Sequence, residues 1–190
     1  MHPTTSDTLA DLAQNAFAAG ATEIRVELVR RGARLEAVVR DNGRGMDAAT
    51  ARKALDPFWT DGAQHPGRNV GLGLPFAKQQ AEQCGGTFAL DSAPGRGTTV
   101  RLAYGLAHVD APPPGDVAGT LAGLMAWPGP HELVVRREVD GRAYEARRSE
   151  LAAALGGLAD AGALALLKGF FTANEAEIGN EVQDGEADVG

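Results

Sequence analysis

The sequence has one cysteine, Cys84, in 190 residues. A single thiol forms no internal disulfide, so the chain is not a disulfide scaffold, and we expect Cys84 to fill an apolar space. No apolar run approaches the roughly 20 residues that a membrane-spanning helix needs. The N-terminus MHPTTSDTLADL lacks a basic-then-apolar signal pattern. We therefore expect a cytoplasmic protein that has no membrane partner.

Basic residues are too few and too scattered to indicate a nucleic-acid surface, and no basic stripe is evident. The net charge is −7, but the last sixteen residues contain six acids and no Lys or Arg, which leaves −1 for the rest of the chain. Those acids are Glu175, Glu177, Glu181, Asp184, Glu186 and Asp188. Because segment 174–190 is acidic and poor in apolar residues, we predict that it is disordered.

The order of predicted elements indicates an α+β domain. Apolar periodicity and turn residues predict a helix over 6–19 with Ser6 or Asp7 as its N-cap, strands in EIRVELV and LEAVV, and a helix after Asp47. They further predict a loop over 56–70, a helix over 72–84, and strands over 86–91 and 98–104. This order contains no regular βαβ repeat. It favours a two-layer sandwich with helices on one face of a mixed sheet.

The remaining sequence predicts a small α/β C-terminal extension. Three prolines in segment 106–116 indicate a stiff linker. Segment 117–173 has a helix-hairpin-helix pattern, in which Asp140 and Gly141 form the hairpin turn. The predicted divisions are therefore 1–105, 106–116, 117–173 and 174–190.

Residues 41–46, DNGRGM, place a carboxylate and two glycines directly after a predicted buried strand. In isolation, Asp-Asn-Gly is typical of a turn. Here it joins a strand to a helix, and a second glycine-spaced element, NVGLGLPFAK, also opens a helix. Two such loops favour a phosphorylated ligand, because glycine permits close approach and helix-start N–H groups bind anionic oxygens. Neither loop is a Walker motif or a dinucleotide fingerprint.

Asp11 and Asn15 are four residues apart in the first predicted helix, so they share a face. Such a pair is commonly a pair of solvated surface residues. Alternatively, the asparagine oxygen suits Mg²⁺ and the aspartate suits a general base.

Five elements in order, DLAQNA, DNGRGM, DPFWT, GLGLPFAK and GRGTT, resemble the ATP-binding domain of the GHKL superfamily. This superfamily includes DNA gyrase, the ninety-kilodalton heat-shock chaperones, histidine kinases and mismatch-repair ATPases. The resemblance covers about residues 5–104 and extends to stand-alone bacterial histidine-kinase-like proteins. It implies a Bergerat-type α+β fold, with ATP and Mg²⁺ as cofactors.

The resemblance implies roles for residues near the adenine base. Asp41 matches the carboxylate that accepts a hydrogen bond from the adenine amino group. Gly43 and Gly45 match the glycines that let the loop lie against the base, and Met46 matches a residue that packs on it. Thr98 matches a hydroxyl that reaches adenine through water.

Other roles concern the phosphates. Asn15 matches the Mg²⁺ ligand, and Phe58 lies in the element that flanks the lid. Arg68 lies in the lid, where it is either a γ-phosphate contact or a solvated loop charge. The phosphate loop and helix start match Gly71, Leu72, Gly73 and Leu74.

Three features depart from the family pattern. Asp11 occupies the water-activating position, where the gyrase and mismatch-repair branch has the longer Glu and histidine kinases usually have Asn. Asn69 stands where kinases often have the first glycine of the phosphate loop. Only 14 residues precede Asn15, so we expect no phosphoacceptor helix pair and not a complete histidine kinase.

Three functions remain open from the sequence. The first is an ATPase switch in which Asp11 is the catalytic base and the region after residue 105 reports the ATP state to a protein partner. The second is a protein kinase, of serine or histidine type, that transfers the γ-phosphate to a partner. The third is a non-catalytic ATP-sensing module. The resemblance implies a redox or signalling protein as the partner.

Overall fold

The computed structural model describes residues 4–57 and 73–179. The helices of this part are α1 (Thr5–Ala18), α2 (Ala48–Lys53), α3 (Gly73–Gln83), α4 (Val117–Met125), α5 (Arg148–Leu155) and α6 (Ala161–Gly179). Its strands are β1 (Glu23–Arg31), β2 (Arg34–Asp41), β3 (Thr87–Ser92), β4 (Thr98–Gly105), β5 (Glu132–Val139) and β6 (Arg142–Arg147). None of these helices combines the length and apolar character needed to cross a bilayer.

The strands form one mixed sheet in the order β3-β4-β2-β1-β5-β6, and only the β1–β5 pair is parallel. Alternate residues of each strand share a face. Val26 of β1 therefore lies beside Val39 of β2 and Val135 of β5, and all three are buried. Helices α1, α3, α4 and α6 contribute to the same apolar core. This architecture confirms the predicted α+β class.

The C-terminal elements are continuous with residues 4–105 of the fold. Strand β5 extends the sheet beside β1, and the core is shared between the two parts. The predicted linker packs against the start of α1, where Thr5 N–H donates to the Pro113 carbonyl at 2.9 Å and Ser6 N–H to the Pro114 carbonyl at 3.1 Å. Segment 106–116 therefore differs from a freely exposed linker, because it supplies acceptors to the first turn of α1.

Helix α1 begins two or three residues earlier than the predicted N-caps, Ser6 or Asp7, imply. Thr4 is the N-cap, and its side chain accepts the Asp7 N–H, while the Asp7 carboxylate accepts the Thr4 N–H at 2.8 Å. This reciprocal capping box places Asp7 inside the first turn, where a carboxylate also complements the helix dipole.

Helix α6 continues to Gly179, beyond the predicted boundary at residue 173. Glu175, counted above among the acids of a disordered tail, accepts from Arg137 at 3.1 Å and from the Tyr144 hydroxyl at 2.7 Å. Ile178, one residue before the end of α6, is buried. These contacts explain why residues 174–179 are helical despite their composition. The rest of the predicted tail lies outside the described residues.

Candidate functional site

Helix α1 presents Asp11 and Asn15 on one exposed face, directed at the start of α3. The contact is close at Gly73, the first residue of α3. A Cβ atom added there would lie 3.3 Å from the Asp11 Cβ and 3.7 Å from the Asn15 Nδ2. The fold therefore brings together three predicted site residues that are separated by about sixty positions in the chain.

The environment of Asp11 makes its carboxylate a stronger base than a free aspartate. Desolvation by the surrounding protein raises the pKa of Asp11, and the negative charge of Asp7, one turn earlier, raises it further. Asp11 nevertheless remains exposed, on the side of α1 that faces Gly73. It is thus accessible to a reacting water or hydroxyl group.

Asp41 ends β2 and is only 9% exposed. Its carboxylate accepts the Gly43 N–H at 2.8 Å, and Thr98 is its partner across the β2–β4 ladder. Burial raises the pKa of Asp41, and the backbone N–H groups of Gly43 and Thr98 lower it, with burial the larger effect. An ionised carboxylate accepts hydrogen bonds and donates none, so Asp41 is suited to a ligand amino group.

The loop after Asp41 needs glycine because it packs against the β3–β4 turn. Gly45 has a φ of +66°, and a Cβ there would lie 1.9 Å from the Ala93 carbonyl oxygen. Gly97 has a φ of +77°, and a Cβ there would lie 1.9 Å from the Asp41 carbonyl oxygen. No other residue fits either position. The GRG segment of the β3–β4 turn and the DNGRG loop therefore pack directly against each other, backbone to backbone.

The same loop is fixed to the end of α1. A Cβ at Gly43 would lie 2.8 Å from the Ala19 Cβ. The Asn42 side-chain oxygen accepts the N–H groups of Thr22 and Glu23, both at 2.9 Å. These contacts connect the loop that carries Asp41 to the helix that carries Asn15.

Sequence reasoning did not single out Ser92, the last residue of β3. Its hydroxyl lies 2.9 Å from the Met46 amide and 3.0 Å from the Thr98 hydroxyl, so it joins two predicted site residues. No local signal identifies it, because a serine before APGRG is ordinary turn chemistry.

The remaining predicted site residues have different outcomes. Leu74 is described, and it packs partly buried against the hydrophobic core. Four predicted residues lie outside the described ranges, and their roles stay predictions: Phe58, Arg68, Gly71 and Leu72.

Known proteins are similar to this chain in the sequence of its N-terminal half and in its overall fold. A sensor-type protein of Shewanella frigidimarina is 36% identical over 72 residues, which are 38% of this chain and 11% of that protein. The cell-division control histidine kinase PdhS of Brucella anthropi is 37% identical over 76 residues, 35% of this chain and 7% of that kinase. The chain thus spans about a tenth or less of these relatives' length.

A solved structure gives a wider likeness of fold. The crystal structure of the N-terminal domain of a DNA repair protein covers 85% of this chain and 58% of its own, with a TM-score of 0.56 and 14% identity. Residues 5–108 match the family described as histidine kinase-, DNA gyrase B- and HSP90-like ATPases, which is more than half of the chain. The chain belongs to this ATPase family.

Proposed function

We propose that this protein binds Mg-ATP between α1, the 41–46 loop and the start of α3, and acts as a slow ATPase switch on a protein partner. Family membership supports ATP binding. The observation that carries the proposal is the position of Asp11 and Asn15 beside Gly73. This arrangement supports the proposal, because Asp11 as base and Asn15 as magnesium ligand would then act at a helix start, where N–H groups favour phosphate.

The residues present fit a magnesium ion held jointly with phosphate. Mg²⁺ usually takes one or two protein oxygens and completes its octahedron with water and phosphate oxygens. Asn15 is exposed and offers one such oxygen. When bound there, Mg²⁺ would neutralise negative charge on the phosphates. Asp11, one turn away, accepts the proton of the attacking water or partner hydroxyl.

The contacts of α1 support a switch. Its first turn is bonded to the Pro113 and Pro114 carbonyls. Near its other end, Phe17 stacks on Trp127 with ring centroids 5.0 Å apart and an interplanar angle of 8°. Both ends of the helix that presents Asp11 and Asn15 thus contact the C-terminal half. A shift of α1 on nucleotide binding would reach the segments that precede and follow α4 through these contacts.

A fluorescence experiment tests this coupling. The chain has two tryptophans, Trp59 and Trp127, so Trp59→Phe leaves Trp127 as the only reporter. Mg-ATP should change its emission, because a stacked indole senses small ring displacements. The same variant carrying Asp41→Ala is the matched control and should respond only at much higher ATP concentrations. Calorimetry that detects ATP binding without an emission change would contradict the switch.

Phosphate transfer to a partner is the second candidate, favoured by the similarity to histidine kinases. With γ-labelled ATP, a kinase would label a co-purified protein, whereas an ATPase would release labelled phosphate. Bound ATP with neither outcome would identify a sensing module. The partner, for which we propose a redox or signalling protein, should be captured differently with and without a non-hydrolysable ATP analogue.

A further inference from the structure

The hydroxyl of Ser92 is the centre of a hydrogen-bond cluster at the proposed adenine site. It lies 2.9 Å from the Met46 N–H, 3.0 Å from the Gly97 carbonyl oxygen and 3.0 Å from the Thr98 hydroxyl. Ser92 therefore joins the loop after β2 to both ends of the β3–β4 turn. All four residues are at least partly shielded from solvent.

The chemistry of these groups determines where each proton lies. A serine hydroxyl has one proton and two lone pairs. The Gly97 carbonyl cannot donate, so Ser92 gives its proton to that oxygen. The Met46 N–H occupies one lone pair of Ser92. The Ser92–Thr98 hydrogen bond must then be donated by Thr98, because Ser92 has no second proton.

The Thr98 hydroxyl consequently has only lone pairs, and no proton, to offer to a ligand. Thr98 and Asp41 are opposite residues of the β2–β4 ladder and share a face of the sheet. The Asp41 carboxylate and the Thr98 hydroxyl therefore both present acceptors to a ligand, either directly or through a water that donates to both of them. An acceptor pair suits a ring amino group and opposes a ring carbonyl.

We propose that Ser92 is a specificity-determining positioning residue, which orients the Thr98 hydroxyl so that the site favours 6-amino over 6-oxo purine nucleotides. This inference rests on the proposed function, since it requires that the base lie at Asp41. Ser92 acts through Thr98 and does not itself contact the nucleotide.

The test compares ATP with inosine triphosphate, which has a carbonyl in place of the amino group at ring position 6 and a proton at N1. Calorimetry with Mg²⁺ measures both dissociation constants. In Ser92→Ala the Thr98 hydroxyl loses its acceptor and becomes free to donate to the carbonyl. The preference for ATP should fall about five-fold, the effect of one neutral hydrogen bond. The Met46 N–H and the Gly97 carbonyl also lose their hydrogen-bond partner in Ser92→Ala. This loss should weaken the binding of both nucleotides equally, so by itself it does not change the ratio of the two dissociation constants.

Two further variants separate orientation from simple loss of structure. Ser92→Thr keeps the hydroxyl and should keep the wild-type ratio. Thr98→Val should lower the ratio, and adding Ser92→Ala to it should have no further effect, because the two residues act as one unit. These variants decide the matter even if Ser92→Ala fails to fold: a lowered ratio in Ser92→Thr or an unchanged ratio in Thr98→Val overturns the proposal.

The outcomes also distinguish this inference from the proposed function. If wild type binds ATP and Asp41→Ala binds it much more weakly, but Ser92→Ala retains the full preference for ATP, only the inference is overturned. If Ser92→Ala weakens the binding of ATP and of inosine triphosphate equally, the inference is likewise overturned. Ser92 would then only support the structure of the loop. If wild type binds no ATP, or Asp41→Ala binds it equally well, the proposed function fails and the inference fails with it.

Discussion

Replacing Asp11 by asparagine should nearly eliminate phosphoryl turnover and leave ATP affinity almost unchanged. The substitution preserves size, so the close packing of residue 11 beside Gly73 is retained, but the amide cannot take a proton. A correctly placed general base contributes about 10²- to 10⁴-fold. We therefore expect the rate of phosphate release to fall by that factor.

The pKa of Asp11 adds a pH dependence with a definite sign. Its pKa is raised by desolvation and by Asp7, so the base is lost on acidification at a higher pH than for a free aspartate. Turnover should rise with pH through this raised pKa. The pKa of Asp11 is higher in the folded state than in the unfolded state, so the ionised carboxylate lowers the free energy of unfolding when the pH is above the folded-state pKa. This destabilisation disappears as the pH falls and the carboxylate is protonated. At neutral pH, Asp11→Asn should leave the melting temperature unchanged or slightly higher.

The matched variant is Asp11→Glu, which extends the carboxylate by one C–C bond, about 1.5 Å. If the helix position is correct and only the reach is short, the rate should hold or rise. Steady-state phosphate release from the three proteins, with ATP binding measured separately by calorimetry, decides between these cases. Equal rates for wild type and Asp11→Asn would refute the base assignment and leave a non-catalytic ATP-sensing module as the better account.

Three further variants test the rest of the site. Asp41→Ala removes a charged acceptor worth about 1.5–3 kcal/mol, so ATP affinity measured by calorimetry should fall roughly 10- to 150-fold, and equal binding would contradict the adenine assignment. Asn15→Ala should abolish the tightening of ATP binding by Mg²⁺ and keep a weaker metal-independent affinity; an unchanged metal dependence in titrations would make Asn15 a surface residue. Gly97→Ala should lower the free energy of unfolding by more than the roughly 1–3 kcal/mol of its positive φ alone, because its Cβ would meet the Asp41 carbonyl. Gly32→Ala, with a φ of +54° and no atom within 4 Å, is the control in denaturant unfolding and should show only the conformational cost.

The amino-acid sequence alone determined the local elements and the family. Helix α3, predicted over 72–84, spans Gly73–Gln83, and the predicted turn at Asp140 and Gly141 has positive φ values of 49° and 89°. Apolar periodicity and turn chemistry act over a few residues, so they can be read without tertiary contacts. The motif order predicted the α+β class and the ATPase family, and both are confirmed.

Tertiary structure decided how distant segments complete one another. Periodicity shows which face of a strand is buried, but it does not show that β5 pairs in parallel with β1, since that pairing joins residues more than a hundred positions apart. Composition indicated a disordered segment from residue 174, yet contacts with Arg137 and Tyr144 hold Glu175 in a helix. Ser92 acquires its place only because the fold brings Met46, Gly97 and Thr98 within hydrogen-bond distance of one hydroxyl. Hydrogen bonds of this kind depend on ångström-scale positions that no local sequence pattern encodes.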